Sequence, residues 1–346
     1  MTGSVTRSMT RSMTERAEVD ERPAQSLPAS PGAALGARLA RGELSAAAAA
    51  LNLLETDTAE ARREAVQLLD AVSVEALGHE PAAHIIGVTG PPGVGKSTLL
   101  CALLARWRAA ERSVAIIAVD PSSRRSGGAL LGDRARILHD PADGGVFIRS
   151  MAAGEQLGGV APATRAAVAA LSACFDVVVV ETVGVGQSET DVAELADTVA
   201  VVVQPGSGDV LQFLKAGIME IPDVLVVTKA DLGALALRAQ ADLHAALRAL
   251  GGAGRPVISV CAIPPTQGIE QLAEALEQHR RTLALPARRA AARRAHALAD
   301  FAAEHGQRGL RALGGRRAGA TWLERQPQQA SLTQLRRALE ERLPHP

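Results

Sequence analysis

An α/β fold built on a doubly wound, mainly parallel sheet is predicted by three observations. Seven short runs rich in β-branched residues recur between His84 and Ala262. Helical patterns separate these runs. A glycine-rich turn joins the first run to the helix that follows it. The runs are HIIGVT, SVAIIAVD, VFIRS, DVVVVET, TVAVVVQ, DVLVVTK and PVISVCA, nearly continuous in apolar residues. Such continuity marks strands buried on both faces. Strand–helix alternation then implies parallel pairing through helical crossovers.

Composition bounds the rest. The 346 residues carry 37 basic and 37 acidic side chains, so no net charge selects a polyanionic partner. The length exceeds what one core usually supports, so a main domain with appendages is expected. No apolar run reaches the roughly 18 residues of a spanning helix, so no membrane partner is expected. Cys101, Cys174 and Cys261 lie far apart without a CxxC pair. This excludes a disulfide scaffold and a thiolate zinc finger, and suits a reducing cytoplasm.

Residues 1–30 are predicted to be disordered. They repeat TRSMTRSMT, hold no hydrophobic run and end in a Pro/Ser-rich stretch. No apolar segment follows the arginines, so this is not a secretory signal. Glu15, Glu18, Asp20 and Glu21 argue against a transit peptide, and Met9 and Met13 are alternative starts. Residues 31–78 form a helical extension. Within it, 33–77 reads as two amphipathic helices with a stripe of Leu35, Leu39, Leu51, Leu54, Val66, Leu69 and Val72. Residues 79–284 carry the strands. Residues 285–346 are helical and arginine-rich. Only Phe301 and Trp322 offer aromatic faces there, so no nucleic-acid partner is expected. Leu310, Leu313, Trp322, Leu323, Leu332, Leu335, Leu339 and Leu343 offer an apolar face that wants a partner, so a homodimer through this segment is expected.

The glycine-rich turn is Gly90-Pro91-Pro92-Gly93-Val94-Gly95-Lys96-Ser97, followed by Thr98. It matches G-x-x-x-x-G-K-[ST] between a buried strand and a helix, the context that motif needs. Its glycines let backbone N–H groups curl around phosphate oxygens, and the helix N-terminus adds positive potential. Lys96 can reach the β- and γ-phosphates, and Ser97 can hold Mg²⁺. Of 37 basic residues only Lys96, Lys215 and Lys229 are lysine. In so arginine-biased a chain, lysine persists where a planar guanidinium cannot replace it.

The run Thr228-Lys229-Ala230-Asp231 resembles the guanine motif N-K-x-D with Thr for Asn. Guanine presents two donors, N1–H and its amino group, and the Asp231 carboxylate can accept both. The Lys229 stem can cover the ring. The Thr228 hydroxyl is expected to replace, in part, a polar contact at the base's other edge. Cys261-Ala262 ends the next strand, where a backbone N–H can meet the base's O6. GTP and GDP are therefore expected as ligands, with Mg²⁺.

Glu181-Thr182-Val183-Gly184 ends an apolar strand like a D-x-x-G with Glu for Asp. Glu181 can hold Mg²⁺ through water, and the Gly184 N–H can sense the γ-phosphate. Asp120 ends the strand after the phosphate-loop helix, at the carboxyl edge where ligands bind. Asp133, in the polar segment beyond it, is a further candidate for holding metal or water. Val185 stands where many GTPases carry the glutamine that orients water, so slow hydrolysis without a partner is expected.

Together these stretches resemble one family. GVTGPPGVGKSTL, VDPSSRRSGGALLGDR, ETVGVGQSE, QPGSGDVLQFLKAGIMEIPDV and TKAD are similar to the MeaB/ArgK family, the methylmalonyl-CoA mutase-associated GTPases. The resemblance implies a P-loop NTPase fold of the SIMIBI-like kind, with C-terminal helices serving dimerisation. It implies a GTPase chaperone that gates cofactor loading of an adenosylcobalamin-dependent acyl-CoA mutase and protects or reactivates it. It also implies that Gln204-Pro205-Gly206-Ser207-Gly208-Asp209 through Lys215 is an extra switch facing the mutase. Arg124-Arg125 stands where the family usually has Pro-Phe, and Cys261 replaces a serine. A nickel-inserting GTPase would concentrate histidine or cysteine, and here the eight histidines are dispersed.

Overall fold

The computed structural model describes residues 30–120, 137–152, 160–182, 188–206, 221–252 and 254–343. The helical extension comes first. Instead of two helices over 33–77 it holds α1 (Pro31–Ala40), a 3₁₀ turn (Leu44–Ala46), α2 (Ala47–Glu55), α3 (Ala59–Ala71) and α4 (Val74–Leu77). Local chemistry makes the extra breaks. Gly42 takes a left-handed φ of 77° after α1. The hydroxyls of Thr58 and Ser73 cap new helices by accepting from the N–H groups of Ala61 and Ala76. The break at Thr58 also shifts the helical phase. Val66, expected in the stripe, is 39% exposed, and Leu68 is buried in its place. Helix α1 lies close on α3 because Gly32 and Gly36 face it. A Cβ at either position would overlap the backbone of Glu64 or Leu68.

Among the described residues, seven strands form one sheet: β1 (His84–Thr89), β2 (Val114–Asp120), β3 (Val146–Ala152), β4 (Val177–Thr182), β5 (Thr198–Val203), β6 (Val224–Val227) and β7 (Val257–Ser259). Their order is β3-β2-β4-β1-β5-β6-β7, and all six pairings are parallel. Each of the seven apolar runs supplies one strand. Side chains alternate between two cores. Ile86, Val88, Ile116, Val179, Val202 and Val226 meet α5 (Lys96–Ala109) and α9 (Ile269–Thr282) on one face. Ile85, Ile117, Val178, Val180 and Val201 meet α6 (Pro162–Ser172), α7 (Ser188–Leu195) and α8 (Ala234–Ala249) on the other. The chain order reverses between β4 and β5 around β1, so the crevice beyond the carboxyl end of β1 is the fold's natural ligand position.

The C-terminal segment is α10 (Leu285–Ala312), α11 (Arg316–Glu324) and α12 (Leu332–Glu340). Helix α10 breaks at Gly306, whose φ of 59° and ψ of −158° are not helical. The apolar face expected to await a partner is used within the chain. Leu310, Leu313, Leu323, Leu335 and Leu339 are buried with Phe301 and Leu298, and Trp322, Leu332 and Leu343 pack against them. Two turns and the helix break fold the segment back on itself, so its leucines satisfy one another. Arg289 fastens α10 to the sheet: it pairs with Asp197 at 2.6 Å and donates to the carbonyls of Pro81 and Ala83, each at 2.6 Å.

Candidate functional site

The phosphate loop leaves β1 at Thr89 and enters α5 at Lys96. Gly90 has a φ of 148°, and a Cβ there would run into the carbonyl oxygen of Val202 on neighbouring β5. Only glycine lets the loop leave the strand this close to the sheet. Gly93 and Gly95 also have positive φ, at 80° and 97°, and Gly95 is the residue from which α5 starts. Val94 is fully buried and anchors the loop in the core, whereas Pro92, Gly93 and Thr98 are exposed and Pro91 is half-buried. The Lys96 ammonium turns back inside the loop and donates to the carbonyls of Gly90 at 2.8 Å and Pro91 at 3.1 Å. It thus sits where the phosphates of a nucleotide would lie over the backbone N–H groups.

The candidate metal residues converge on the same face of the sheet. Glu181 is in register with Ala118, two residues before Asp120, so alternation sends both carboxylates to the α5 side. Both are buried, with Glu181 2% and Asp120 3% exposed. The Ser97 hydroxyl lies 3.4 Å from Glu181 Oε1. Two carboxylates and a hydroxyl form an all-oxygen donor set at the mouth of a phosphate loop, which fits Mg²⁺. Thr182, on the opposite side of the strand, donates to the Thr89 hydroxyl at 3.0 Å and ties β4 to β1 beneath the loop.

Thr228 is placed differently from expectation. Its hydroxyl is buried and lies 2.6 Å from the carbonyl of Val94 and 3.1 Å from that of Val203. One hydroxyl proton cannot also serve the base edge, so Thr228 braces the phosphate loop against β5 and β6. Lys229 follows in the left-handed region at φ 54°, which turns Asp231 into an exposed 3₁₀ turn, Ala230–Leu232. Its ammonium donates to the side-chain oxygen of Gln204 at the end of β5. That contact links the guanine motif to the start of the expected switch, and motif spacing gives no hint of it. The Ala230 N–H donates to Val260 at 3.0 Å and holds the motif against the strand leading to Cys261. Cys261 is buried and its N–H donates to Gln267 at 2.9 Å, so the backbone donor expected of this pair falls to Ala262. Gly206 has a φ of 78°. Asp133, Gly184, Gly208, Asp209 and Lys215 lie outside the described residues.

A parallel sheet whose central strand feeds a glycine loop, with carboxylates at the carboxyl ends of β4 and β2 on one side of it, defines a P-loop nucleoside triphosphatase. Comparison with known proteins narrows the class. Residues 47–308 match the family model described as methylmalonyl-CoA mutase-associated GTPase MeaB. A protein of Pyrococcus abyssi named as a GTPase is 43% identical over 253 residues, covering 71% of this chain and 75% of that protein. The mouse mitochondrial methylmalonic aciduria type A homolog is 36% identical over 221 residues, covering 61% of this chain and 53% of that protein. A crystal structure of a LAO/AO transport system kinase superposes with a TM-score of 0.58 at 28% identity, covering 86% of this chain and 98% of that one. The chain belongs to the MeaB family and is a GTPase. No helix among the described residues is long and apolar enough to cross a membrane.

Proposed function

We propose that the protein binds GTP and GDP with Mg²⁺ at this loop and hydrolyses GTP as the chaperone of an adenosylcobalamin-dependent acyl-CoA mutase. The observation that carries the nucleotide reading is the brace from Thr228 to Val94, which holds the T-K-x-D turn directly against the phosphate loop. In this reading Gly90 to Thr98 hold the phosphates, and Lys96 neutralises charge developing on the β–γ bridge. Mg²⁺, when bound, withdraws negative charge from the phosphates. Ser97, Asp120 and Glu181 are its candidate holders, with Asp133. Asp231 accepts from guanine, Lys229 covers the ring, and Ala262 donates to O6. Gly184 senses the γ-phosphate.

The mutase reading rests on the family description and on the mouse relative's name. We take residues 31–78, 79–284 and 285–346 as three units, and 204–215 as the segment that reports nucleotide state to the mutase. A switch of this kind needs contacts present in only one state, which Gly206, Gly208, Asp209 and Lys215 can supply. Homodimerisation and a cytoplasmic location complete the proposal; the dimer would use surface other than the leucines already buried. The test is GTP turnover with and without adenosylcobalamin-dependent mutases. Stimulation by one of them that is lost in Lys215→Ala, with basal turnover kept, supports the proposal. Absence of stimulation by every mutase tried, with basal turnover intact, overturns the chaperone role and leaves the GTPase.

A further inference from the structure

A second cluster of ligating side chains lies far along the chain from the phosphate loop. One ligand atom each from Glu304, His305 and Glu340 lies within 4.8 Å of the other two. The backbone creates the cluster. Gly306 breaks α10 immediately after His305, and Glu340 is the last residue of α12, which packs back on that break. The His305 ring is set by Phe301, with ring centroids 4.6 Å apart. Its Nε2 is buried without a hydrogen-bond partner. Buried polar atoms are nearly always satisfied, so such a nitrogen asks for an explanation.

We propose that Glu304, His305 and Glu340 bind a transition-metal dication of the Zn²⁺ class, distinct from the Mg²⁺ expected at the nucleotide. One imidazole and two carboxylates favour such an ion over Mg²⁺ or Ca²⁺, which take oxygen alone. Zinc–ligand bonds are about 2.0–2.2 Å, which sets tetrahedral ligand atoms roughly 3.4 Å apart. Separations of up to 4.8 Å need at most about 1.4 Å of closure, and exposed glutamates supply that by rotamer change. Arg336 donates to Glu304 at 2.7 Å. That pair is 36% and 54% exposed, so it competes only weakly and leaves the second carboxylate oxygen for the ion. Three protein ligands leave a fourth position for water or for a group from a partner. A bound ion would also staple α12 to the broken end of α10.

The test is calorimetric titration of the full chain, loaded with GDP and excess Mg²⁺, with Zn²⁺ and then with Co²⁺ as a visible probe. One Zn²⁺ per chain is expected, in the micromolar range, with cobalt bands of four- or five-coordinate ligation. Glu340→Gln lies on the surface and leaves the packing intact; it should weaken binding at least tenfold. His305→Ala should do the same and remove the cobalt bands, and Zn²⁺ should raise the thermal midpoint of the wild type alone. Equal stoichiometry and affinity in the wild type and Glu340→Gln would overturn the proposal. So would zinc uptake that vanishes under excess Mg²⁺, because the ion would then have occupied the nucleotide site.

Discussion

Single residues divide sharply by how far their partners lie along the chain. The phosphate loop is legible in eight consecutive letters because its chemistry is local: glycines at positive φ, then a lysine and a hydroxyl at a helix start. The Thr228 brace is not, since it joins residues 134 apart and no pattern marks a carbonyl as its target. It gives a sharp expectation. Thr228→Val keeps the shape and removes the proton, leaving the Val94 carbonyl unsatisfied in the core. An unpaired buried acceptor costs about 1–3 kcal/mol. GDP affinity should fall about tenfold or more, while the preference for GDP over ADP, which we assign to Asp231, stays. Calorimetry with both nucleotides checks this, and a lost preference would return Thr228 to the base edge. Gly90→Ala should abolish binding outright, because its Cβ has no room beside Val202. Lys96→Arg should abolish turnover, since a planar fork cannot replace a compact ammonium within the loop; phosphate release measures it.

Elements were legible where burial dictates composition. A strand covered on both faces is apolar at nearly every position, and each of the seven apolar runs became a strand, with β3 at the sheet edge only partly buried. The helical extension was less so, because its breaks come from single hydroxyl caps that hydrophobic spacing does not register. The ion pair between Arg165 on α6 and Asp300 on α10 was not legible at all, and it stands beside a histidine held in the interior. His296 is buried, and burial, with Arg165 adding to it, pushes its pKa down to about 4. The unfolded chain therefore takes up this proton first, near pH 6.5. Stability from a neutral His296 is complete above pH 6.5 and is lost as pH falls toward 4. The loss amounts to as much as roughly 3 kcal/mol for a shift of this size. Urea unfolding at pH 7.5 and 5 should show it, and His296→Leu should reduce the difference. An unchanged pH dependence in the variant would place the titration elsewhere.

For the whole molecule, the decisive matter is what the C-terminal leucines bind. Their spacing reads as an unpartnered face, yet Leu335 and Leu339 are 2% and 0% exposed within one chain. Sequence cannot distinguish a face that meets a second copy from one that meets its own next helix, because both need the same apolar stripe. Substitution can. If these leucines formed the dimer interface, Leu335→Lys would give a folded monomer with an unchanged thermal midpoint. Within an internal core it must bury an ammonium among Leu298, Phe301 and Leu339, or else expel α12. The expected outcome is therefore a loss of helical signal and a fall in stability of about 3 kcal/mol or more, comparable to other severe core changes. Because Arg289 attaches α10 to the sheet through Asp197, part of that loss should reach the GTPase sheet as a lower midpoint for the whole chain. Light scattering and circular dichroism on the same sample separate the two cases. A well-folded monomer from a dimeric parent would show that the segment trades its internal packing for a partner.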